Sequence, residues 1–532
     1  MTQKASINVA RGTRELDVQL RYANRHGLIA GATGTGKSVS LMVLAEEFSK
    51  AGVPIFVADI KGDLAGLSQA AAPSEKLLNR LKLLGIQDTW RPGASPVVCW
   101  DLYGVNGHPL RTTVSEMGPI LLGRLLELNE VQEGILNIAF RVADDEGLLL
   151  LDMADLRAML NYVAENAKDI SQQYGLVSSV SIAAVQRALL TLEDAGGREF
   201  FGEPAFELAE FFRIDPNGRG VINLMSAEQL VLKPRLYSSF LLWLLSELFE
   251  QLPEVGDLDK PRLVFFFDEA HLLFHDAPSG LVQRIEQVVR LIRSKGVGIY
   301  FCTQNPDDVP NTILGQLGHR IQHALRAYTP RDQKAVRSAA ETFVANPALN
   351  VVDAITQLNV GEALVSFLEE GGRPAMVERA WIMTPGCRIG AISPEERAAL
   401  RAQSPVGTKY DEPIDRESAF EVLKARAEPP AAQAPPAPAE GGGGWTLNWP
   451  WGKPAPTAPA PAPAPAPRSA PRAPTPRPAP TARPAPAPRA PAAPRASNRQ
   501  GIGETLAKSV ARTVGSQLGR QILRGIFGSM RR

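Results

Sequence analysis

Residues 31–38 form the sequence GATGTGKS, which fits the phosphate-binding pattern G-x-x-x-x-G-K-[ST]. In such a loop the glycines turn backbone N–H groups inward, and the start of the following helix adds partial positive charge. We expect Lys37 to reach the β- and γ-phosphates of a nucleoside triphosphate, and the hydroxyl of Ser38 to bind Mg²⁺. The residues expected around the phosphates are Gly31, Ala32, Thr33, Gly34, Thr35, Gly36, Lys37, Ser38 and Val39.

A magnesium site needs a second acidic residue, and the apolar segment LVFFFDEA at residues 263–270 supplies it. Asp268 ends this predicted strand and is the expected metal ligand alongside Ser38. The adjacent Glu269 is placed to take a proton from an attacking water as general base. The alternative interpretation is that the acidic pair only ends a strand, and the phosphate loop upstream disfavours it.

Two further polar residues are expected at the same edge of the sheet. The next predicted strand ends in CTQN, so Gln304 is a candidate to sense the γ-phosphate or orient the water. Ligands of open α/β sheets bind outside the carboxyl ends of the strands. Asp59 ends the strand VPIFVAD and is a candidate supporting residue.

Arginine supplied by a neighbouring subunit often stabilises the transition state of phosphoryl transfer. Four arginines follow the acidic pair near predicted helix or strand ends: Arg290, Arg293, Arg320 and Arg326. We favour Arg320 and then Arg293 for this role. A salt-bridge role is the alternative for each of the four.

Residues 268–271 also spell DEAH, the box of some two-domain helicases. We disfavour that interpretation because a second RecA-like domain is not recognisable before the proline-rich tail. His271 and His275 are spaced for metal binding on a helix, but no third ligand follows at a recognisable spacing. A structural role is therefore the preferred interpretation of both.

Strands alternate with helices through most of the chain, which predicts an α/β fold with a RecA-like P-loop ATPase core and a mostly parallel sheet. We expect one strand in residues 1–25 and a late hairpin over 361–368 and 375–383. The predicted division is 1–108, the first half of the core with the phosphate loop; 109–215, an all-helical insertion; 216–400, the second half with Asp268; 401–428, a helical extension; 429–502, a disordered Pro/Ala/Arg linker; and 503–532, a basic amphipathic helix.

The net charge of +1 over 532 residues hides an asymmetry. After residue 440 there are fourteen Lys and Arg against the single acid Glu504, which gives the tail a charge of +13 and the body −12. A basic tail indicates an anionic partner, nucleic acid or a membrane surface, or else only a soluble linker. For the terminal helix, membrane binding, a protein partner and self-association all remain open.

Cysteine usage and hydropathy bear on the compartment. The three cysteines Cys99, Cys302 and Cys387 make no C-x-x-C motif, so neither a disulfide framework nor a zinc site is indicated. The N-terminus has no apolar signal segment, and the apolar run 237–249 is too short to span a bilayer. We expect a cytoplasmic protein.

Taken together, these motifs resemble the HerA–FtsK branch of P-loop ATPases, and more narrowly its HerA-like, YjgR-type bacterial proteins. The segments that carry the likeness are GATGTGKS, VPIFVADIKGDLAG, LVFFFDEAH, FCTQNPDDVP and HRIQHALRAYTPRDQKAV. The resemblance implies a RecA-like ATPase, usually a hexameric ring that pumps DNA through its channel. It assigns Lys37 and Ser38 to phosphate and Mg²⁺, Asp268 and Glu269 to metal and hydrolysis, and Gln304 to sensing. HerA itself has a β-barrel domain before the phosphate loop, whereas in this sequence the loop begins at residue 31.

The function expected from the sequence is therefore Mg²⁺-dependent ATP hydrolysis in a homo-oligomeric, ring-forming translocase or helicase-like motor on double-stranded DNA. The alternative is an ATP-driven protein remodeller or switch at the membrane surface, recruited by the basic tail. A third possibility is an ATP-binding scaffold with slow turnover.

Overall fold

The computed structural model describes residues 5–274 and 279–427. Contacts divide the chain into Met1–Pro436 and Ala437–Arg532, and the second unit lies outside the described residues. The predictions for the linker 429–502, the basic helix 503–532 and His275 concern residues outside this description.

Within the described residues, twelve strands form one sheet in the order β2-β1-β12-β11-β10-β3-β9-β8-β4-β7-β5-β6. The strands are β1 (Ser6–Arg11), β2 (Glu15–Gln19), β3 (Gly27–Ala30), β4 (Ile55–Asp59), β5 (Val97–Asp101), β6 (His108–Pro109), β7 (Ile222–Ser226), β8 (Leu263–Phe267), β9 (Val297–Thr303), β10 (His319–Gln322), β11 (Glu362–Ser366) and β12 (Glu378–Ile382).

The eight strands from β10 to β6 run parallel to their neighbours, and β11, β12, β1 and β2 continue the sheet as an antiparallel edge. The predicted α/β class with a mostly parallel sheet is confirmed, as is the late hairpin. The prediction of one strand in residues 1–25 is wrong. That segment forms two strands, because Ile7, Val9, Leu16 and Val18 bury alternate side chains when β1 pairs with β2 and β12.

Fifteen helices accompany the strands in the described part of the chain. They are α1 (Lys37–Lys50), α2 (Glu75–Leu84), α3 (Val114–Leu125), α4 (Glu130–Glu146), α5 (Met153–Glu165), α6 (Ala167–Tyr174), α7 (Ser179–Leu192), α8 (Arg198–Phe200), α9 (Pro234–Gln251), α10 (Ser279–Ile292), α11 (Asn311–Leu314), α12 (Pro330–Glu341), α13 (Val351–Gln357), α14 (Pro394–Ala402) and α15 (Ala419–Ala427).

The central strands are mostly apolar because both faces of the sheet are covered. In β8, Val264 and Phe266 enter a core shared with α1, whereas Phe265 and Phe267 enter the opposite core. That opposite core continues without a break into the helices of residues 114–200. The helical segment thus packs on one face of the sheet through a common core.

Helices α3, α4 and α5 begin where the sequence offers a capping box. The side chain of the residue before each helix accepts a hydrogen bond from a backbone N–H of the first turn; these residues are Thr113, Asn129 and Asp152. The side chain three positions later accepts a hydrogen bond from the backbone N–H of that same residue. Such reciprocal caps satisfy N–H groups that a helix start leaves unpaired. They fix the helix boundaries in this segment.

The chain after α14 crosses to the helical segment. The predicted helical extension 401–428 is helical mainly over α15, because Pro405, Gly407 and Pro413 interrupt residues 403–418. Ser418 Oγ and the Phe420 N–H both donate to the buried carboxylate of Asp155, which holds the start of α15 against α5.

Among the described helices, none alone is both long and apolar enough to cross a bilayer. One helical pair, Ala167–Tyr174 with Ser179–Phe200 (α6 with the segment from α7 to α8), is together long and apolar enough, but its two parts are bent by 99° relative to each other.

Candidate functional site

The phosphate loop connects β3 to α1. Gly31, Gly34 and Gly36 have φ angles of 154°, 77° and 116°, which side chains rarely adopt. A Cβ added to Gly31 would lie 2.5 Å from the Cβ of His323. Glycine is thus required at Gly31 both for the backbone turn and for the space.

His323 supports the loop from beneath. Its Nδ1 faces the carbonyl oxygen of Glu362 at 2.9 Å and therefore carries the proton, while Nε2 accepts the hydroxyl hydrogen of Ser40 at 2.7 Å. Burial lowers the pKa of His323 to about 4, so the ring is neutral at pH 7. The ring joins the end of β10 to the first turn of α1.

Lys37 is the first residue of α1 and is buried. Its Nζ donates to the carbonyl oxygen of Ala32 at 3.2 Å, so the ammonium group folds back over the loop. A cavity of about 250 Å³ opens at this position. Its lining residues are Thr33, Gly34, Gly36, Lys37, Ser38, Val39, Lys61 and Val360.

The sheet order brings Asp268 to the same edge as the loop. β3 pairs with β9, β9 pairs with β8, and Asp268 directly follows β8. Burial raises the pKa of Asp268 to about 6, and the negative charge of Glu269 adds to the effect. Asp268 Oδ2 is buried without a hydrogen-bond partner in the structure. A buried carboxylate oxygen that lacks a hydrogen-bond donor is suited to binding a cation.

Glu269 has a strained backbone, with φ 45° and ψ 51°, which is rare for a residue with a side chain. Its Oε1 pairs with Lys61 Nζ, and its Oε2 accepts from Gln304 Nε2 at 3.3 Å. Burial favours a higher pKa for Glu269, but the hydrogen bond and charge of Lys61 outweigh it and lower the pKa. The carboxylate is therefore ionised and fixed in position.

Asp59 organises the turn that carries Lys61. Its carboxylate accepts the N–H groups of Gly62 at 2.8 Å and Leu64 at 3.1 Å. Burial raises the pKa of Asp59 to about 7, and the nearby charge of Asp63 raises it further. Asp59 is thus a structural support for the site.

The arginines favoured from the sequence lie towards the amino ends of the parallel strands, away from the carboxyl ends that hold the phosphate loop. Arg320 is within β10 opposite Leu28, and Arg293 follows α10 just before β9. Together with Arg25 and Arg290 they line a cavity of about 510 Å³, whose described lining residues include no Asp or Glu. Arg320 Nη1 is buried and unpartnered. Arg326 instead lies exposed beyond the carboxyl end of β10.

His271 lies beside the site, with Nδ1 3.3 Å from Glu269 Oε2. Over residues 5–274 and 279–427, no group of three or more His, Cys, Asp or Glu side chains is arranged to hold a metal ion by itself. A magnesium site here would consequently need Ser38, phosphate and water ligands besides Asp268.

Lys61 and His323 are site residues that the sequence interpretation missed. Lys61 sits in the turn after a strand at the ligand-binding edge, which was the available signal. His323 had no local signal, since its partner Ser40 is 283 residues away in the chain. The structure brings together Lys37, Ser38, Asp268, Glu269 and Gln304, and it separates them from Arg293 and Arg320.

Comparison with known proteins decides the family. The family described as "Helicase HerA-like C-terminal" matches residues 4–532. The chain belongs to this family.

The HerA-like chain is 32% identical over 120 residues to "Probable helicase MJECL08" of Methanocaldococcus jannaschii, which is 22% of this chain and 21% of the relative. It is 33% identical over 113 residues to "Probable helicase MJ1565" of the same organism, which is 20% of each. The matched part is thus about a fifth of each relative.

Solved structures similar to this chain include those of TrwB and VirB4. The bacterial conjugative coupling protein TrwBdeltaN70 has 15% identity and a TM-score of 0.49, covering 74% of this chain and 92% of its own. VirB4 of Thermoanaerobacter pseudethanolicus has 14% identity and a TM-score of 0.44, covering 74% and 98%. TrwB has also been solved with ADP and Mg²⁺.

Proposed function

We propose that this chain is a Mg²⁺-dependent ATPase that works as a ring-forming motor on double-stranded DNA. The observation that carries the proposal is the convergence of Lys37, Asp268 and Glu269 at one sheet edge, with a glycine loop opening on a cavity. Membership of a helicase-named family supports an ATP-driven motor.

The residues at the loop fit a bound magnesium ion. Asp268 Oδ2 is a buried acceptor with no partner in the structure, and Ser38 lines the same cavity as Lys37. Ser38 Oγ and Asp268 would hold the ion together with phosphate oxygens and water. When bound, the ion neutralises charge on the phosphates.

Each side chain around the nucleotide site has a separate role in the proposed hydrolysis. The water oxygen bonds to the γ-phosphorus while the bond from that phosphorus to the β–γ bridging oxygen breaks, and ADP leaves with the electron pair. Glu269 takes the proton from the water, Gln304 orients Glu269, and Lys37 stabilises charge on the phosphates.

Ring assembly would place the arginine cavity of one subunit against the nucleotide of the next. Arg293 and Arg320 lie across the sheet from the phosphate loop of their own subunit. A head-to-tail ring joins two different surfaces of each subunit, so a neighbour can supply what the subunit itself cannot. The buried, unpartnered Arg320 Nη1 is our preferred group for this role.

DNA is proposed as the polymer because the family name and both relatives refer to helicases, and because the tail carries a charge of +13. We also propose a cytoplasmic location, since Cys99, Cys302 and Cys387 are free and buried.

The deciding experiment measures ATP hydrolysis by the full-length protein with and without double-stranded DNA, together with its mass in nucleotide. We expect DNA to stimulate turnover, and the stimulation to fall with added salt because counterions are released on binding. Absence of stimulation at low salt would exclude the DNA motor and leave the membrane-surface remodeller. A monomeric mass in ATP would exclude the ring.

A further inference from the structure

Lys61 lies between the predicted base and the nucleotide cavity. Its Nζ is paired with Glu269 Oε1, and its side chain also lines the cavity formed by the phosphate loop. The side chain of Lys61 is 41% exposed, whereas that of Glu269 is 4% exposed. The lysine therefore borders both the carboxylate and the space where phosphate is expected.

The backbone around Lys61 is held in place. Asp59 accepts two N–H groups of the turn, and Gly62 has a φ of 72°. The Gly62 φ lies in the left-handed region, which favours glycine at this point of the turn. With the turn held by these hydrogen bonds, the flexible four-carbon side chain of Lys61 is the part that can change position.

A triphosphate offers the ammonium group of Lys61 a competing acceptor. Among the described residues that line the cavity, the cationic side chains are Lys37 and Lys61. Lys37 is buried and donates to the carbonyl oxygen of Ala32, whereas the side chain of Lys61 is partly exposed to solvent. Phosphate oxygens carry more negative charge than one carboxylate and attract an ammonium group more strongly. While Lys61 remains on Glu269, its hydrogen bond occupies the carboxylate that must accept the proton from water.

We propose that Lys61 is a nucleotide-responsive catalytic residue, which restrains Glu269 in the absence of ATP and moves to the γ-phosphate when ATP binds. This movement releases Glu269 Oε1 for the attacking water while Gln304 keeps Oε2 in position. The inference rests on the proposed ATP hydrolysis. It explains why Glu269 becomes available to the water only when ATP is bound, because ADP has no γ-phosphate to accept Lys61.

The test compares ATP and ADP affinities in an E269Q background, in which hydrolysis is blocked and no buried carboxylate is left unpaired when Lys61 is replaced. The full-length variants are E269Q, E269Q/K61M, E269Q/K61R and the control E269Q/K50M. Lys50 is also a half-exposed, ion-paired lysine, but it lies at the far end of α1. Binding is measured with Mg²⁺ by isothermal titration, and each variant is first checked for an unchanged melting temperature.

We expect K61M to lower the preference for ATP over ADP about tenfold, the size of one lost charged hydrogen bond. K61R should restore most of the preference, and K50M should not change it. E269Q alone should bind ATP more tightly than the unaltered protein, since Lys61 no longer has to leave its partner. The same ATP preference in K61M, or an equal loss for ATP and ADP, would overturn the inference. If the unaltered protein binds no ATP, the proposed function itself fails, which separates the two outcomes.

Discussion

Gln304 Nε2 donates a hydrogen bond to Glu269 Oε2 across 3.3 Å, which links the residues that follow β9 and β8. With Lys61 on Oε1, this contact engages both oxygens of a carboxylate on a left-handed backbone. Strain of this kind persists only where surrounding contacts impose it. The arrangement therefore points to Glu269 as the group that the site is built to position.

Replacing Glu269 by Gln should lower kcat by about 10²- to 10⁴-fold, because the water loses its proton acceptor. Binding of ATP should survive, since the phosphate loop is untouched. Q304L should reduce kcat less than E269Q does, because Gln304 acts through Glu269. Steady-state ATPase assays and titration with ATP separate the two effects. If E269Q hydrolysed ATP at the normal rate, another group would have to be the base.

Lys37→Ala should lower hydrolysis by about 10²- to 10³-fold, since it removes a cation positioned for the phosphates. Lys50 is the matched control, as it ends the helix that Lys37 begins and pairs with Glu46 and Glu47. Lys50→Ala should leave turnover near normal. Phosphate-release assays on both variants provide the comparison, and equal turnover in both would remove Lys37 from the site.

Arginine supplied by a neighbour predicts complementation between inactive variants. R320A and K37A should each lose activity, R320A by about 10³-fold. A mixture should regain turnover, because some interfaces combine the intact loop of an R320A subunit with the intact arginine of a K37A subunit. Arg293→Ala is examined in the same way. A mixture as inactive as its components would argue against a role for Arg320 across an interface.

His323→Ala should weaken ATP binding about tenfold, since the loop loses a hydrogen-bonded support beneath Gly31. His319 is the matched control. Like His323 it is buried, but it begins β10 and bonds to the carbonyl oxygen of Tyr22, at the opposite end of the strand. His319→Ala should cost stability yet leave ATP affinity nearly normal, and titration of both variants checks this. Similar affinity losses in the two would indicate general destabilisation.

Acid should destabilise the fold partly through His26. Its Nδ1 accepts the N–H of Ile299 at 3.0 Å and its Nε2 donates to Val289, so the folded protein holds the neutral ring. Burial lowers the pKa of His26 from 6.5 to about 4. Between these values the unfolded chain binds a proton that the folded chain does not. The free energy of unfolding should therefore fall with falling pH, by about 3 kcal/mol near pH 4.

Urea unfolding of the unaltered protein and His26→Asn at pH 7, 6 and 5 tests this prediction. Asparagine tolerates the φ of 57° at this position. The slope of interest is the change in the free energy of unfolding with pH. Other groups titrate alike in both proteins, so the difference between the two slopes reports the contribution of His26. Parallel slopes would contradict the prediction.

The sequence was sufficient for the features that depend on local patterns. Apolar runs ending in Asp59, Asp268 and Gln304 predicted the central strands and the polar edge, because buried parallel strands need continuous apolar residues. The N-terminal strands β1 and β2 were harder to predict, since β1 also pairs with β12 some 370 residues later. Lys61 and His323 are defined by distant partners, and residue types at one position do not reveal such contacts.

The long sequence separation between Ser40 and His323 has a consequence for synthesis on the ribosome. The strands that flank β3 are β9 and β10, and the support for the loop comes 283 residues after Ser40. At translation rates of about 5 to 20 residues per second, a nascent chain spends roughly 15 to 60 seconds with the apolar strand β3 unpaired. A transcript truncated before codon 319 would thus yield an aggregation-prone polypeptide without a finished phosphate loop, and chaperones that shield emerging chains should matter most during that interval.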